Sequence, residues 1–240
     1  MNKIGIIGYG EIGQAIEQLY LNPVQVKDLD RDDDLTEIEL LHICFPYSAM
    51  FISQVCNYIK DYNPHVVLIH STIAPTTTHQ IVEKTGSRVF HNPIRGTHPE
   101  LLEGLLTFES YLGADSECKD VVKHLKSHGI FTKVVDSLTS ELAKLMSTTY
   151  YGLCIAWHGE MKHICDEYNI DFEEAVTDWN KGYNKGMRGL NKSDLLRPIL
   201  YPPNHDAIGG HCVVPNAILL RKIFDSKALD LIIDYDKSYT

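Results

Sequence analysis

Short apolar runs alternate with stretches of helical periodicity through the first half of the chain. Lys3-Ile4-Gly5-Ile6-Ile7, Val24-Gln25-Val26, Leu40 to Phe45, Val66-Val67-Leu68-Ile69, Arg88-Val89-Phe90 and Thr132 to Val135 read as strands. A wholly apolar run such as Val66 to Ile69 is typical of a parallel strand covered on both faces. The residues up to about Leu21, Met50 to Ile59 and Asp120 to His128 carry apolar side chains at helical spacing. Gly104 to Gly113, with Leu105, Phe108, Tyr111 and Leu112, reads as a further strand-like run. Strands alternating with helices predict an α/β fold built on a doubly wound parallel sheet.

The texture changes at Ser137. Ser137 or Thr139 can cap a long helix from about Ser140 to Tyr168, with Glu141 near its start. Its apolar face is wide, with Leu142, Leu145, Met146, Tyr150, Leu153, Ile155 and Trp157. A face that broad packs on two surfaces at once, which predicts a homodimer through residues 138–168. Asp171 caps a further helix to about Asn180, and Gly182, Gly186 and Gly189 break up the segment beyond it. Pro198 and Tyr201-Pro202-Pro203 hold an extended loop that delivers Ala207 to Asn216, and a last helix is expected from about Ala217 to Ile233. Residues 1–137 therefore form one domain, and 138–240 a smaller, all-helical one.

The first strand opens directly into Gly8-Tyr9-Gly10-Glu11-Ile12-Gly13, a complete G-x-G-x-x-G between a strand and a helix. In that setting Gly8 makes the tight turn, Gly10 lets backbone approach a pyrophosphate, and Gly13 lets the helix pack close to the strand. The helix N-terminus then faces the phosphates. Asp28 stands twenty residues after Gly8, at the end of the second strand, where a carboxylate binds the adenosine ribose hydroxyls. The combination predicts a Rossmann-type dinucleotide site. Asp28 would repel a 2′-phosphate, which favours NAD over NADP, although Lys27 and Arg31 nearby weigh the other way. Phe45-Pro46 and Ser71-Thr72 close the third and fourth strands at the edge where such sheets place ligands. Pro75 and the threonines after it read as the cap of the next helix.

The net charge of −10 opposes general electrostatic binding of nucleic acid or an anionic membrane. Apolar content of 44% and charged content of 22% are those of a soluble globular protein. With no apolar run approaching a membrane span and no leader pattern before the first strand, a cytoplasmic location is expected. Six scattered cysteines without a C-x-x-C fit reduced thiols. His91, His98, His158, His163 and His211 match no metal-ligand spacing, so no metal is expected. Cys212 stands apart from the other cysteines. It follows Gly209-Gly210-His211, precedes Pro215, and lies near a helix start, a setting that lowers a thiol pKa and leaves room for a large reactant.

These residues resemble the UDP-glucose/GDP-mannose dehydrogenases, particularly the branch oxidising UDP-N-acetylhexosamines. Gly209-Gly210-His211-Cys212 with Pro215-Asn216 is similar to their catalytic-cysteine motif, and Ser71-Thr72 with Pro75 to their Ser-Thr-x-x-Pro segment. Glu141-Leu142-Ala143-Lys144 is similar to the start of their central helix. The resemblance covers about residues 3 to 217. It implies that Cys212 forms a thiohemiacetal and then a thioester on the way from alcohol to acid. It also implies that Lys144 stabilises oxyanionic intermediates, with Thr72 and Thr148 at the catalytic centre, and that Arg197 helps bind substrate. Asn92, Arg95, Gly209, Gly210 and His211 join Arg197 as expected substrate contacts, with Arg95, Arg188 and Arg197 as clamps for an anionic carboxylate or phosphate.

Three departures stand out. Ile94 occupies the place of the family's water-activating glutamate, and Thr148 that of an asparagine one turn after the lysine. The chain also ends about two dozen residues after Cys212, where the family continues into a nucleotide-binding domain. Asn92 to Gly113 is also similar to a segment of the β-hydroxyacid dehydrogenases, which keep the helix lysine and have no such domain. The expected function is an NAD-dependent oxidoreductase acting on an alcohol or aldehyde of a compact, anionic small molecule. The competing reading is a nucleotide-binding sensor or assembly module descended from such an enzyme.

Overall fold

The strand β1 (Ile4–Ile7) is buried along its whole length, and its alternate residues feed two separate cores. A computed structural model of the chain describes residues 1–96, 99–203, 207–209 and 212–237. Ile4 and Ile6 face a cluster shared with Leu40, Leu68 and Phe90 of neighbouring strands and with Ile16, Leu101, Leu105, Val121 and Leu125 of helices. Ile7 faces the other side, with Leu41, Ile43, Val67, Ile69, Phe51, Val55, Ile59 and Ile81. The period of two along each strand thus explains helices on both faces. Each fully buried aliphatic side chain here contributes about 1.5–3 kcal/mol.

The remaining strands are β2 (Gln25–Lys27), β3 (Leu40–Ile43), β4 (Val66–Ile69), β5 (Val89–His91), β6 (Ser110–Gly113) and β7 (Thr132–Val135), and the sheet order is β2-β1-β3-β4-β5-β6-β7. Helices α1 (Glu11–Glu17), α4 (Leu101–Thr107) and α5 (Lys119–Ser127) cover one face, and α2 (Phe51–Tyr62) and α3 (Thr77–Thr85) the other. The chain leaves β1 for β2 on one side and returns to β3 on the other. The switch point of the sheet therefore lies between β1 and β3, where open α/β sheets bind ligands.

Two expectations for this half need correction. The run from Gly104 to Gly113 is not a single strand. Leu105 lies in α4, and only Ser110–Gly113 is extended. The sheet is also not parallel throughout, because β5 meets β6 antiparallel through the single pair His91↔Gly113. The side chain of Asn92 extends that short ladder, donating from Nδ2 to Ser110 Oγ at 2.6 Å and to the Tyr111 carbonyl at 2.9 Å.

The helix α6 runs from Ser137 to Glu167. Its cap is Asp136, not Ser137 or Thr139: Asp136 accepts the Thr139 N–H at 2.8 Å and the Thr139 hydroxyl at 2.5 Å. The chain divides into two compact units, Met1–Lys144 and Leu145–Thr240, so the first turns of α6 belong with the sheet, past the expected boundary at 137/138.

Among the described residues of the second unit no strand is present. Asp171 does cap a helix, accepting the Glu174 N–H at 2.9 Å. That helix does not stop near Asn180. It passes through a π-helical stretch, Glu173–Asp178, into α7 (Trp179–Gly189), so Gly182, Gly186 and Gly189 sit inside it. The buried Asn184 of α7 holds the following loop, donating to the Arg197 carbonyl at 2.9 Å and accepting the Arg197 N–H at 2.8 Å. The expected last helix is two, α8 (Val213–Arg221) and α9 (Lys227–Lys237), the first beginning directly after Cys212. Among the described residues, no helix is long and apolar enough to cross a membrane.

Candidate active site

At the end of β1 the backbone turns at Gly8 with φ +93°, and a Cβ there would stand 2.7 Å from the Phe45 nitrogen. Gly13 is equally constrained, since its Cβ would stand 2.1 Å from the Gly8 carbonyl oxygen. These are the tight turn and the close helix–strand approach that the motif requires. Gly10 differs: a Cβ there would meet nothing within 4 Å, so open space lies over this part of the loop. Glu11 and Ile12 begin α1, Glu11 exposed and Ile12 half-buried.

Asp28 stands just past β2, and its carboxylate reaches back to this loop. It accepts the N–H of Tyr9 through Oδ2 and that of Leu29 through Oδ1 at 2.5 Å. A carboxylate fixed beside the glycine turn, with open space over Gly10, is the cradle that a ribose and pyrophosphate need. The nearby cations are engaged elsewhere. Lys27 pairs with Asp32, and Arg31 pairs with Asp33 at 3.0 Å and Glu17 at 3.4 Å.

Phe45 and Pro46 follow β3 beside Gly8, and Ser71 follows β4, its hydroxyl donating to the Phe45 carbonyl at 2.6 Å. Thr72 is half-buried beside it. The helix after this segment is not capped by its threonines. Thr76 is left-handed, with φ 71°, and makes no side-chain cap bond. The acceptor is Glu141 of α6, whose carboxylate takes the Thr76 N–H at 2.6 Å, the Thr78 N–H at 2.8 Å and the Thr78 hydroxyl at 2.7 Å. Glu141 is fully buried, and burial raises its carboxyl pKa even though the bonds from Thr78 and Thr76 lower it.

A chain of buried polar rings runs under the same edge. His70 Nδ1 lies 2.7 Å from the Asn92 carbonyl, His70 Nε2 2.7 Å from His42 Nδ1, and His42 Nε2 2.8 Å from the Tyr20 hydroxyl, which lies 3.2 Å from His124 Nε2. The carbonyl can only accept, so each neutral tautomer follows in turn: His70 donates from Nδ1, His42 from Nδ1, Tyr20 from its hydroxyl and His124 from Nε2. Burial pushes His70 down to about 4 and His42 well below the usual imidazole value. His91 is held the same way, between the Ser71 carbonyl at 3.1 Å and Ser140 Oγ at 2.9 Å, and burial pushes it down to about 3. These imidazoles fix the main chain at Ser71 and Asn92. Their sequence positions carry no signal of that role, because the partners lie 20 or more residues away.

Lys144 donates from Nζ to the Ile94 carbonyl at 2.8 Å. The Ile94 side chain points the other way, into the apolar cluster with Leu101 and Leu105. Asn92 is buried with Oδ1 unpartnered, a polar atom that a ligand or a water can satisfy. Arg95 is exposed, donates to the Glu109 carbonyl at 3.0 Å and lies over the rings of Phe108 and Tyr111. Gly8, Tyr9 and Gly10 thus follow the carboxyl end of β1, Asp28 that of β2, Phe45 and Pro46 that of β3, Ser71 and Thr72 that of β4 and Asn92 that of β5, while Glu11, Ile12 and Gly13 open α1 and Lys144 lies on α6.

The other expected residues belong to the second unit. Thr148 follows on α6 and is half-buried. Cys212 is an exposed free thiol at the position that opens α8. Gly209 has φ +68°, which a larger residue rarely adopts. Arg197 is exposed, with its guanidinium 3.7 Å from the centre of the Tyr183 ring. Gly210 and His211, like His98, lie outside the described residues. Among the described residues, no group of three or more His, Cys, Asp or Glu could hold a metal ion.

No family model matches the chain. It is 27% identical over 213 residues to a UDP-N-acetyl-D-mannosamine dehydrogenase of Methanococcus maripaludis, an alignment covering 79% of this chain and 46% of that protein. The fold superposes on a UDP-D-ManNAc dehydrogenase from Pyrococcus horikoshii with a TM-score of 0.78 at 17% identity, covering 99% of this chain and 68% of that one. It also matches a 3-hydroxyisobutyrate dehydrogenase of Mycobacterium tuberculosis, with a TM-score of 0.72 at 11% identity over 99% of this chain and 94% of that one. By sequence, then, the chain is a homologue of the UDP-N-acetyl-D-mannosamine dehydrogenases and UDP-glucose dehydrogenase-like proteins, and it spans less than half the length of the curated relatives it matches.

Proposed function

We propose that the chain is an NAD-dependent oxidoreductase of the UDP-sugar dehydrogenase kind, oxidising an alcohol or aldehyde of a compact, anionic small molecule. The observation that carries this reading is the Asp28 carboxylate bound to the Tyr9 N–H inside the glycine turn, with open space over Gly10. NAD, when bound there, supplies the hydride acceptor. Gly8, Tyr9, Gly10, Glu11, Ile12 and Gly13 cradle the pyrophosphate, Asp28 binds the ribose, and Phe45, Pro46, Ser71 and Thr72 line the nicotinamide side. Lys144, whose Nζ donates to the Ile94 carbonyl, suits the stabilisation of an alkoxide or hemiacetal oxyanion.

Cys212 is the nucleophile in this reading. Its thiolate would add to the aldehyde carbon, Lys144 would stabilise the oxyanion so formed, and the acyl group carried on Cys212 after oxidation would be released by attack of water or another nucleophile. Asn92, Arg95, Arg197, Gly209, Gly210 and His211 are assigned to substrate, and Thr72 and Thr148 to the catalytic centre. The chain works as a homodimer through α6, whose Met146, Tyr150, Trp157 and Ile164 are exposed apolar side chains. Its free thiols suit a reducing, cytoplasmic setting. No nucleic-acid or membrane partner is assigned.

The competing reading is a nucleotide-binding sensor or assembly module. It is favoured by Ile94, whose apolar side chain is committed to the core where the similar enzymes place a carboxylate. A nicotinamide absorbance assay over hydroxy acids, sugar acids and UDP-sugars separates the two. Reduction of NAD with at least one substrate class supports the enzyme; tight NADH binding without turnover on any of them supports the module.

A further inference from the structure

A cluster of charges at the ribose end of the dinucleotide site has no part in hydride transfer. Arg31 lays its guanidinium over the Tyr9 ring, 4.9 Å from the centroid. It donates to Asp33 Oδ2 from Nη2 at 3.0 Å and from Nε at 3.2 Å, and from Nη1 to Glu17 Oε1 at 3.4 Å. The Tyr9 hydroxyl donates to the other Glu17 oxygen, while the Tyr9 N–H donates to Asp28. Asp33 is itself fixed, because its Oδ2 also accepts the Val26 N–H at 2.8 Å. Tyr9 therefore ties the glycine turn, the ribose carboxylate and the Arg31 cluster into one hydrogen-bonded unit.

The consequence concerns the choice of dinucleotide. A 2′-phosphate would arrive beside Asp28, where an arginine near the end of the second strand is the usual means of accepting it. Arg31 stands at that place, yet its fork is spent on two carboxylates. Turning it toward a phosphate would leave Glu17 and Asp33 uncompensated next to a dianion. Together Glu17, Asp28, Asp32 and Asp33 against Lys27 and Arg31 give four negative and two positive charges, a local balance of −2.

We propose that Glu17 and Asp33 are specificity-determining residues, which hold Arg31 on Tyr9 and so withhold it from a 2′-phosphate. Asp28 repels NADP directly; Glu17 and Asp33 remove the one side chain of this cluster best shaped to accept it. This rests on the dinucleotide-site reading above.

The test is separate titration of NADH and NADPH, followed by nicotinamide fluorescence, into the full chain. The proteins are wild type, Asp33→Asn, the double variant Glu17→Gln/Asp33→Asn, and that double variant with Arg31→Ala added. Asp33→Asn keeps an oxygen for the Val26 N–H, so it is the variant least exposed to misfolding. The ratio of NADPH to NADH dissociation constants should fall by about tenfold or more in the double variant, the scale of one charge-assisted pair, and partly in Asp33→Asn. The gain should disappear with Arg31→Ala and weaken as salt is raised. An unchanged ratio in both acid variants overturns the inference, as does a fall that survives Arg31→Ala, since that would be charge removal alone. Wild type binding neither dinucleotide overturns the site reading and the inference with it; wild type binding NADH with an unchanged ratio in the variants overturns the inference only.

Discussion

Lys144 places its Nζ 2.8 Å from the main-chain carbonyl of Ile94, while the Ile94 side chain is buried in the core on the other side of that backbone. The segment therefore offers Lys144 a carbonyl and offers the site no side chain at position 94. A glutamate substituted there would have to bury its charge among Leu101 and Leu105. Ile94→Glu is expected to lower stability by more than about 3 kcal/mol in urea unfolding rather than add a base. A stable variant with faster turnover would show that the side chain can swing into the site.

The covalent mechanism has a distinct signature. With no carboxylate at position 94, release of a Cys212 thioester by water should lack general base help, typically worth about 10²–10⁴-fold. Intact-protein mass spectrometry after mixing with NAD and a turnover substrate should show an acyl adduct on wild type and none on Cys212→Ser, which should be inactive in the second oxidation. An active Cys212→Ser with no adduct on wild type would leave a single hydride transfer, in which Lys144→Ala alone abolishes activity.

Glu141 is the cap of α3 from across the unit. Glu141→Ala strands the buried Thr78 N–H and hydroxyl, each of which costs about 1–3 kcal/mol, and leaves the exposed Thr76 N–H to water. A loss of about 2–4 kcal/mol is expected by urea unfolding, with Glu141→Gln losing less than half as much because one oxygen acceptor remains. Equal losses in the two variants would mean that the carboxylate is not acting as the cap.

Acid should weaken the fold through its buried imidazoles. His42, His70, His91 and His124 are all depressed by burial, His70 and His124 to about 4 and His91 to about 3. The unfolded chain, with imidazoles near 6.5, binds more protons than the folded one between these values, so stability rises with pH there. It should be complete above about pH 7 and fall as pH drops from about 6.5 toward 4, by about 1.4 kcal/mol per pH unit for each group fully in that window. Glu141 acts in the opposite sense, since a raised carboxyl stabilises below its unfolded pKa and loses that contribution as pH rises through the folded one. Urea midpoints unchanged between pH 7 and 4.5 would contradict the tautomer chain.

The sheet and the glycine turn were legible because both rest on local signals: apolar runs of strand length, and glycines where no Cβ fits. The strand-like reading of Gly104 to Gly113 failed because five apolar residues in ten suit a short helix followed by a strand as well as one strand. Gly182, Gly186 and Gly189 looked like breaks, yet each faces open space on α7, where a glycine costs only about 1 kcal/mol. Asp28 and Cys212 were readable from motif spacing. Glu141 as a cap and His42 and His70 as supports were not, because their partners are 63, 28 and 22 residues away and only the folded sheet brings them together.

The most direct test of the dehydrogenase reading is NADH binding to wild type, Asp28→Asn and Asp28→Ala by isothermal calorimetry at fixed salt. Wild type should bind NADH at a single site. Asp28→Ala should weaken binding by about tenfold or more, as expected for losing hydrogen bonds to a charged acceptor, with Asp28→Asn in between. Equal NADH affinity in all three proteins, or no binding to wild type, would contradict the assignment of this glycine turn and Asp28 to a nicotinamide dinucleotide.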